Sequence, residues 1–145
     1  MLRIMESADT DLPELFLRAA KRIRRNQVGK LAPLGLTPAQ ARALRIIGHQ
    51  REPLRMTDLA DRLGIVPRSA TTVVDALALG DLVTRAPDPD NRRATLVTLT
   101  PSGQATLARM ADARREAAEE LFATLTPDQR ETLRDLLATL DSAAC

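Results

Sequence analysis

Residues 65–103 read IVPRSATTVVDALALGDLVTRAPDPDNRRATLVTLTPSG, a helix-like run followed by two strand-like runs around a charged turn. Pro67 suits a first helical position, and the residues after it separate into two faces. Ala70, Val73, Val74 and Leu77 follow the i, i+3, i+4, i+7 spacing of a buried helical stripe. Arg68, Thr71, Thr72 and Asp75 fall on the opposite side, with Ser69 beside them. Further on, Leu82–Arg85 and Ala94–Leu99 alternate and are rich in β-branched residues, which predicts two strands. Between them Pro87-Asp88-Pro89-Asp90-Asn91 is turn chemistry, and Arg92 and Arg93 follow at once.

Working back from this stretch, Leu59, Ala60 and Leu63 mark a short helix ended by Gly64. Two helices around a short turn, followed by a basic-tipped hairpin, are the parts of a winged helix-turn-helix. In that arrangement Pro67, Arg68, Ser69, Thr71 and Thr72 are the candidates for a major groove, where small hydroxyls and an arginine can meet phosphates and base edges. Arg92 and Arg93 are the candidates for a minor groove, whose negative potential favours arginine. The alternative expectation is that one of these two arginines pairs with Asp88 or Asp90 and stiffens the loop; the two are compatible, with one arginine spent on the protein and one on DNA. Val66, at the N-cap, has no side-chain acceptor, so the first N–H groups of the helix are expected to stay open to a phosphate.

The flanks read as helices. Asp11 and Glu14 open the first, with Leu12, Leu15, Phe16, Ala19 and Ile23 at helical spacing. Its run of Arg18, Lys21, Arg22, Arg24, Arg25 and Lys30 contains no acid. An anion-binding surface is one reading; a solvated face that pairs with acids elsewhere is favoured, as for most exposed charge runs. Thr37-Pro38-Ala39-Gln40 is a capping box, and its helix, with Ala43, Leu44 and Ile47 inward, ends near His49. Arg51–Leu54 reads as a connector. Thr100-Pro101 and Thr126-Pro127-Asp128-Gln129 open the last two helices, the final one striped by Leu133, Leu136, Leu137 and Leu140.

Composition narrows the function classes. The chain has 145 residues, is 44% hydrophobic and has two phenylalanines as its only aromatics, so its core is aliphatic and helices are favoured. The shortage of aromatics argues against base-stacking readers of single strands or RNA. No apolar run approaches the length of a membrane span, the N-terminus shows no signal-peptide apolar region, and a single cysteine allows no internal disulfide, so a protein of the reducing cytoplasm is expected. One histidine and a terminal Cys145 supply neither a nucleophile–base pair nor a metal-ligand set, so no enzyme, cofactor or metal is expected, and Cys145 is read as inert.

Charge placement tells more than the net +2. From Arg51 to Arg93 there are seven arginines and seven acidic residues, so the candidate reader has no formal net charge. That neutrality supports the alternative of a winged-helix protein-interaction module without DNA binding. The leucine-rich stripes of the terminal helices exceed what so small a lobe can cover. Leu12, Leu15, Phe16, Leu133, Leu136, Leu137 and Leu140 are therefore candidates for a two-fold dimer interface.

Taken together these residues resemble the MarR family of transcriptional regulators over nearly the whole chain. The likeness rests on Leu36-Thr37-Pro38-Ala39-Gln40 with Leu44, on Leu59-Ala60 with Leu63-Gly64, and on Ser69, Thr71–Asp75 and Leu77. Its most specific part is DPDNRRATLVTLTPSG from Asp88 to Gly103. Two positions depart from it: Asp90 stands where the family often has arginine, and Asp81 stands where it usually has glycine, with Gly80 one residue earlier. The resemblance implies a mainly α fold with a small β-hairpin wing, one domain over 1–145. Residues 37–100 would form the winged helix-turn-helix lobe, and 11–34 and 101–145 the dimerisation helices. It further implies a homodimer on a pseudo-palindromic double-stranded operator, usually as a repressor. In many relatives a small aromatic or anionic effector releases the DNA, and in others cysteine oxidation does.

Overall fold

A computed structural model describes residues 10–144; Cys145, read above as inert, lies outside them. Among the described residues, six helices and three strands run in the order α1 (Leu12–Leu31), a 3-10 turn (Ala32–Leu34), α2 (Pro38–Gly48), β1 (Leu54–Arg55), α3 (Met56–Leu63), α4 (Pro67–Leu79), β2 (Val83–Asp88), β3 (Asn91–Leu99), α5 (Pro101–Phe122) and α6 (Pro127–Ala143). Two compact units result, one of Leu31–Ala113 and one of the chain through Lys30 with that from Arg114 on. Among the described residues no helix is long and apolar enough to cross a membrane.

The capping boxes form as their sequences require. Thr37 Oγ1 accepts from Gln40 N–H at 3.1 Å and Gln40 Oε1 accepts from Thr37 N–H at 3.2 Å. Thr126 and Gln129 repeat the exchange at α6. Each box satisfies two backbone donors that a helix start leaves open. At α1 only half of the exchange is present, with Asp11 Oδ1 accepting from Glu14 N–H at 3.1 Å.

In the Leu31–Ala113 unit, Leu44 and Ile47 of α2, Leu59 and Leu63 of α3, and Val74 and Leu77 of α4 meet Val83, Val97 and Met110 in one apolar core. Leu44, Leu59, Leu77, Val74, Val97 and Met110 are essentially solvent-free. Gly64 ends α3 in the left-handed region (φ 68°), and Ile65 N–H reaches back to Ala60 carbonyl at 3.1 Å. That reversal lets Ile65 pack on the core and delivers Val66 straight to the start of α4.

The sheet departs from expectation in three ways. Leu54–Arg55, whose leucine is expected in a connector, is a strand that pairs antiparallel with β3 (Leu54 opposite Val97), giving the order β1-β3-β2. Leu82 is not a strand residue; its N–H is held by Leu77 carbonyl at 2.9 Å and pairing starts at Val83, opposite Leu99. The hairpin is also longer than expected, because both strands continue into the turn sequence and leave only Pro89-Asp90 to reverse the chain. A register irregularity at Pro87/Asp88 accommodates the prolines, which cannot donate to a ladder.

Candidate nucleic-acid interface

Helix α4 separates its faces as its sequence requires. Ala70, Val74 and Leu77 are buried and Val73 is half-buried, while Pro67, Arg68, Ser69, Thr71, Thr72 and Asp75 are exposed. Arg42 of α2 fixes the turn before it. Its guanidinium donates to the carbonyls of Leu63 (3.0 Å) and Arg62 (3.1 Å), filling acceptors that the end of α3 leaves open and meeting the negative end of its dipole.

The N-terminus of α4 is less open than its sequence suggested. Val66 makes no side-chain cap, but its carbonyl accepts from Ser69 N–H at 3.0 Å and Ala70 N–H at 3.2 Å. Tightening of the first turn thus uses the Ser69 donor, and Pro67 has none. Arg68 N–H remains the one first-turn donor without an acceptor among the described residues.

Both threonines turn their hydroxyls inward: Thr71 Oγ1 donates to Pro67 carbonyl at 3.1 Å and Thr72 Oγ1 to Arg68 carbonyl at 3.2 Å. The side chains of Arg68 and Ser69 make no hydrogen bond or ion pair among the described residues. Asp75, one turn beyond, is paired with Arg85 of β2, so the exposed side of α4 is tied to the wing. Helical spacing places Asp75 on this face, but gives no sign of a partner ten residues on.

At the wing tip Asp88 is buried, and its partner is Arg55 of β1, with Nε at 2.9 Å and Nη2 at 2.8 Å from Oδ2. Oδ1 accepts from Asp90 N–H at 2.9 Å. These contacts hold the Asp88 carboxyl below its ordinary value, the backbone donor of Asp90 most of all, then Arg55, against the opposing effect of burial. The expectation that Arg92 or Arg93 pairs with Asp88 or Asp90 is therefore overturned: Arg55 already occupies the acid. Arg92 and Arg93 are exposed, and neither side chain has a partner among the described residues. Of the four arginines on α4 and the hairpin, three have side chains without a partner among the described residues, and Arg85 is the one paired with an acid there.

The base of the wing is a knot of short bonds around Thr100. Its N–H donates to Leu82 carbonyl (3.0 Å), its Oγ1 donates to Asp81 carbonyl (2.6 Å) and accepts from Gly103 N–H (2.9 Å). Asp81 sits in the left-handed region (φ 59°), whereas Gly80 before it does not (φ −81°). The end of α4 is thus a left-handed cap with aspartate in the place where glycine is usual.

In the other unit, Leu12 (78% exposed), Leu15, Phe16, Leu136 (60%), Leu137 and Leu140 stand open to solvent, and Leu133 is half-buried. The basic run of α1 divides: Arg18 pairs with Glu14 at 3.6 Å and Lys30 with Glu120 at 2.6 Å, a contact that raises the Lys30 pKa. Lys21, Arg22, Arg24 and Arg25 have no partner among the described residues.

A family model described as the MarR family matches residues 36–95. An uncharacterised HTH-type transcriptional regulator of Bacillus subtilis (strain 168), YkoM, is 25% identical over 127 residues, 88% of this chain and 82% of the relative. The HTH-type transcriptional repressor MdtR of the same organism is 23% identical over 143 residues, 97% of this chain and 92% of that one. Among solved structures, a mutant MarR from E. coli superposes with a TM-score of 0.74 at 27% identity, over 90% of this chain and 96% of that one.

Proposed function

We propose that the chain is a member of the MarR family and a cytoplasmic, sequence-specific transcriptional regulator that binds a pseudo-palindromic double-stranded DNA operator as a homodimer. α4 enters the major groove and the hairpin reaches the adjacent minor groove. The observation that carries this reading is the allocation of arginines: Arg68, Arg92 and Arg93 are exposed and uncommitted, while Arg42, Arg55 and Arg85 around them are held by carbonyls or acids. Across Arg51–Arg93, where seven arginines and seven acidic residues cancel, affinity must come from where free cations point. The name of MdtR supports repression as the mode.

The exposed leucines of α1 and α6 support a two-fold partner, since isologous packing covers the same patch on both chains. A small aromatic or anionic effector that releases the DNA completes the proposal. A gel shift against the region upstream of its own gene tests the core of it. Saturable, sequence-dependent retardation is expected, and its absence at low salt would return the protein to the class of interaction modules. A thermal-shift screen of small aromatic acids on the purified dimer tests the effector; no compound that both stabilises the protein and releases the duplex would remove it.

A further inference from the structure

We propose that Thr71 and Thr72 are specificity-determining residues that read the C5-methyl groups of thymines, an assignment that rests on the DNA-binding reading above. A threonine hydroxyl has one proton to donate. In Thr71 that proton is directed at Pro67 carbonyl and in Thr72 at Arg68 carbonyl. Thr132 and Thr139 of α6 make the same bond to the carbonyl four residues back, so the helix backbone sets this arrangement and no ligand is needed to impose it.

The consequence for recognition is selective. Phosphate oxygens, guanine N7 and O6, adenine N7 and thymine O4 are all acceptors and need donors. Thr71 and Thr72 have spent theirs. Ser69, whose hydroxyl makes no bond among the described residues, and Arg68, with a free guanidinium and a free N–H, have not. With each hydroxyl proton held by a backbone carbonyl, what these exposed side chains offer besides an acceptor oxygen is the apolar γ-methyl, and the thymine methyl is the apolar feature of the major groove that it matches. Asp75, the next residue along this exposed side, has one carboxylate oxygen paired with Arg85, which ties it to the wing and leaves that oxygen less available to the exocyclic amine of cytosine. Thr71 and Thr72 lie three and four residues beyond Arg68, about 5–6 Å along the same side of the helix. Since base pairs rise about 3.4 Å, the thymines fall within one or two steps of the base that Arg68 reads.

The test uses the full-length wild-type protein to select half-sites from a random duplex library, then replaces single thymines by deoxyuridine, which lacks only the C5-methyl. Removing one methyl that a threonine covers should weaken binding about fourfold, the effect of exposing one buried apolar carbon. Thr71→Val and Thr72→Val, which keep the methyl and lose the hydroxyl, should bind and discriminate like wild type. Thr71→Ser and Thr72→Ser should bind thymine and uracil duplexes alike. Uracil tolerated at every position of a selected site, valine variants as weak as the serine ones, or serine variants that still discriminate would each overturn the assignment while leaving the DNA-binding reading intact. Selection that enriches no sequence would instead overturn that reading and this assignment with it.

Discussion

Thr100 Oγ1 donates to the carbonyl of Asp81 across 2.6 Å, and this bond joins the end of α4 to the start of α5 at the base of the wing. The same oxygen accepts from Gly103 N–H, so one hydroxyl closes a left-handed turn and caps a helix at once. Thr100→Val should therefore cost about 1–3 kcal/mol, the range for leaving buried polar groups unpaired, and Thr100→Ser far less. Asp81→Gly should have the opposite sign. Asp81 has φ 59°, its side chain is exposed without a partner among the described residues, and glycine carries no steric penalty there. About 1 kcal/mol of stabilisation is expected. Urea unfolding of the three variants measures both, and an Asp81→Gly protein less stable than wild type would mean that the carboxylate contributes something its surroundings do not reveal.

Gly103→Ala meets a different obstacle. A Cβ at this position would lie 2.0 Å from the carbonyl oxygen of Leu82 and 3.3 Å from the Leu99 side chain. Backbone cannot give way as a side chain can, so either α5 or the Leu82 turn must move and the Thr100 bonds with it. Destabilisation of at least about 2 kcal/mol is expected. A neutral melting temperature for this variant would mean that the wing base is far more compliant than its bonds imply.

These two sites show where sequence was legible. The Thr-Pro starts, the apolar stripes and the second unit's open leucines follow from spacing along one helix, which can be counted along the chain. β1 is two residues long and exists because Leu54 meets Val97, a pairing with no local periodicity. Arg55 and Asp88 lie far apart in the chain, so the choice of Arg55 over the neighbouring Arg92 and Arg93 is set by the sheet. Asp81 was visible as a departure, but its left-handed φ depends on Leu82 N–H reaching Leu77 and on Thr100 holding its carbonyl.

Asp88 gives the fold an acid-sensitive joint. Its folded pKa lies below the unfolded one, near 4, because the charged form accepts from Asp90 N–H and Arg55. A depressed carboxyl contributes stability that is complete above the unfolded pKa and disappears as pH falls through the folded pKa. Stability should thus be insensitive to this group from neutral pH down to about 5 and decline below about 4. Asp88→Asn should be less stable at neutral pH and should flatten that part of the decline, in urea titrations at stepped pH. An unaltered acid limb in the variant would exonerate Asp88.

Arg68 and the wing arginines should separate in their effects on DNA. If Arg68 makes a bidentate contact to guanine, Arg68→Ala costs about 1–3 kcal/mol on the selected operator and relaxes preference at that base. Arg92→Ala and Arg93→Ala should weaken operator and unrelated duplex alike. Each phosphate that a variant no longer neutralises should make the salt dependence shallower by about 0.9 in log–log slope. Fluorescence anisotropy at several salt concentrations reads both quantities, and a slope unchanged in the double variant would place the wing away from the backbone.

Leu136 and Leu140 face solvent on one side of α6, as do Leu12 and Phe16 on α1, in a unit where Asn26 Nδ2–Ala117 carbonyl (3.2 Å) and Arg130–Glu119 (2.8 Å) already tie the helices together. Those intrachain ties leave the leucines uncovered, and covering each is worth about 1.5–3 kcal/mol. Leu136→Glu should remove one such contribution per chain and set a charge against its symmetry-related surroundings, so a two-fold interface is struck twice. The variant should elute as a monomer or lose solubility, with the Leu31–Ala113 unit still folded by circular dichroism. Because two linked half-sites bind far more tightly than one, operator affinity should fall by a factor of about 100 or more while binding to a single half-site is retained. Light scattering that finds Leu136→Glu dimeric at micromolar concentration would move the interface off this face of α6.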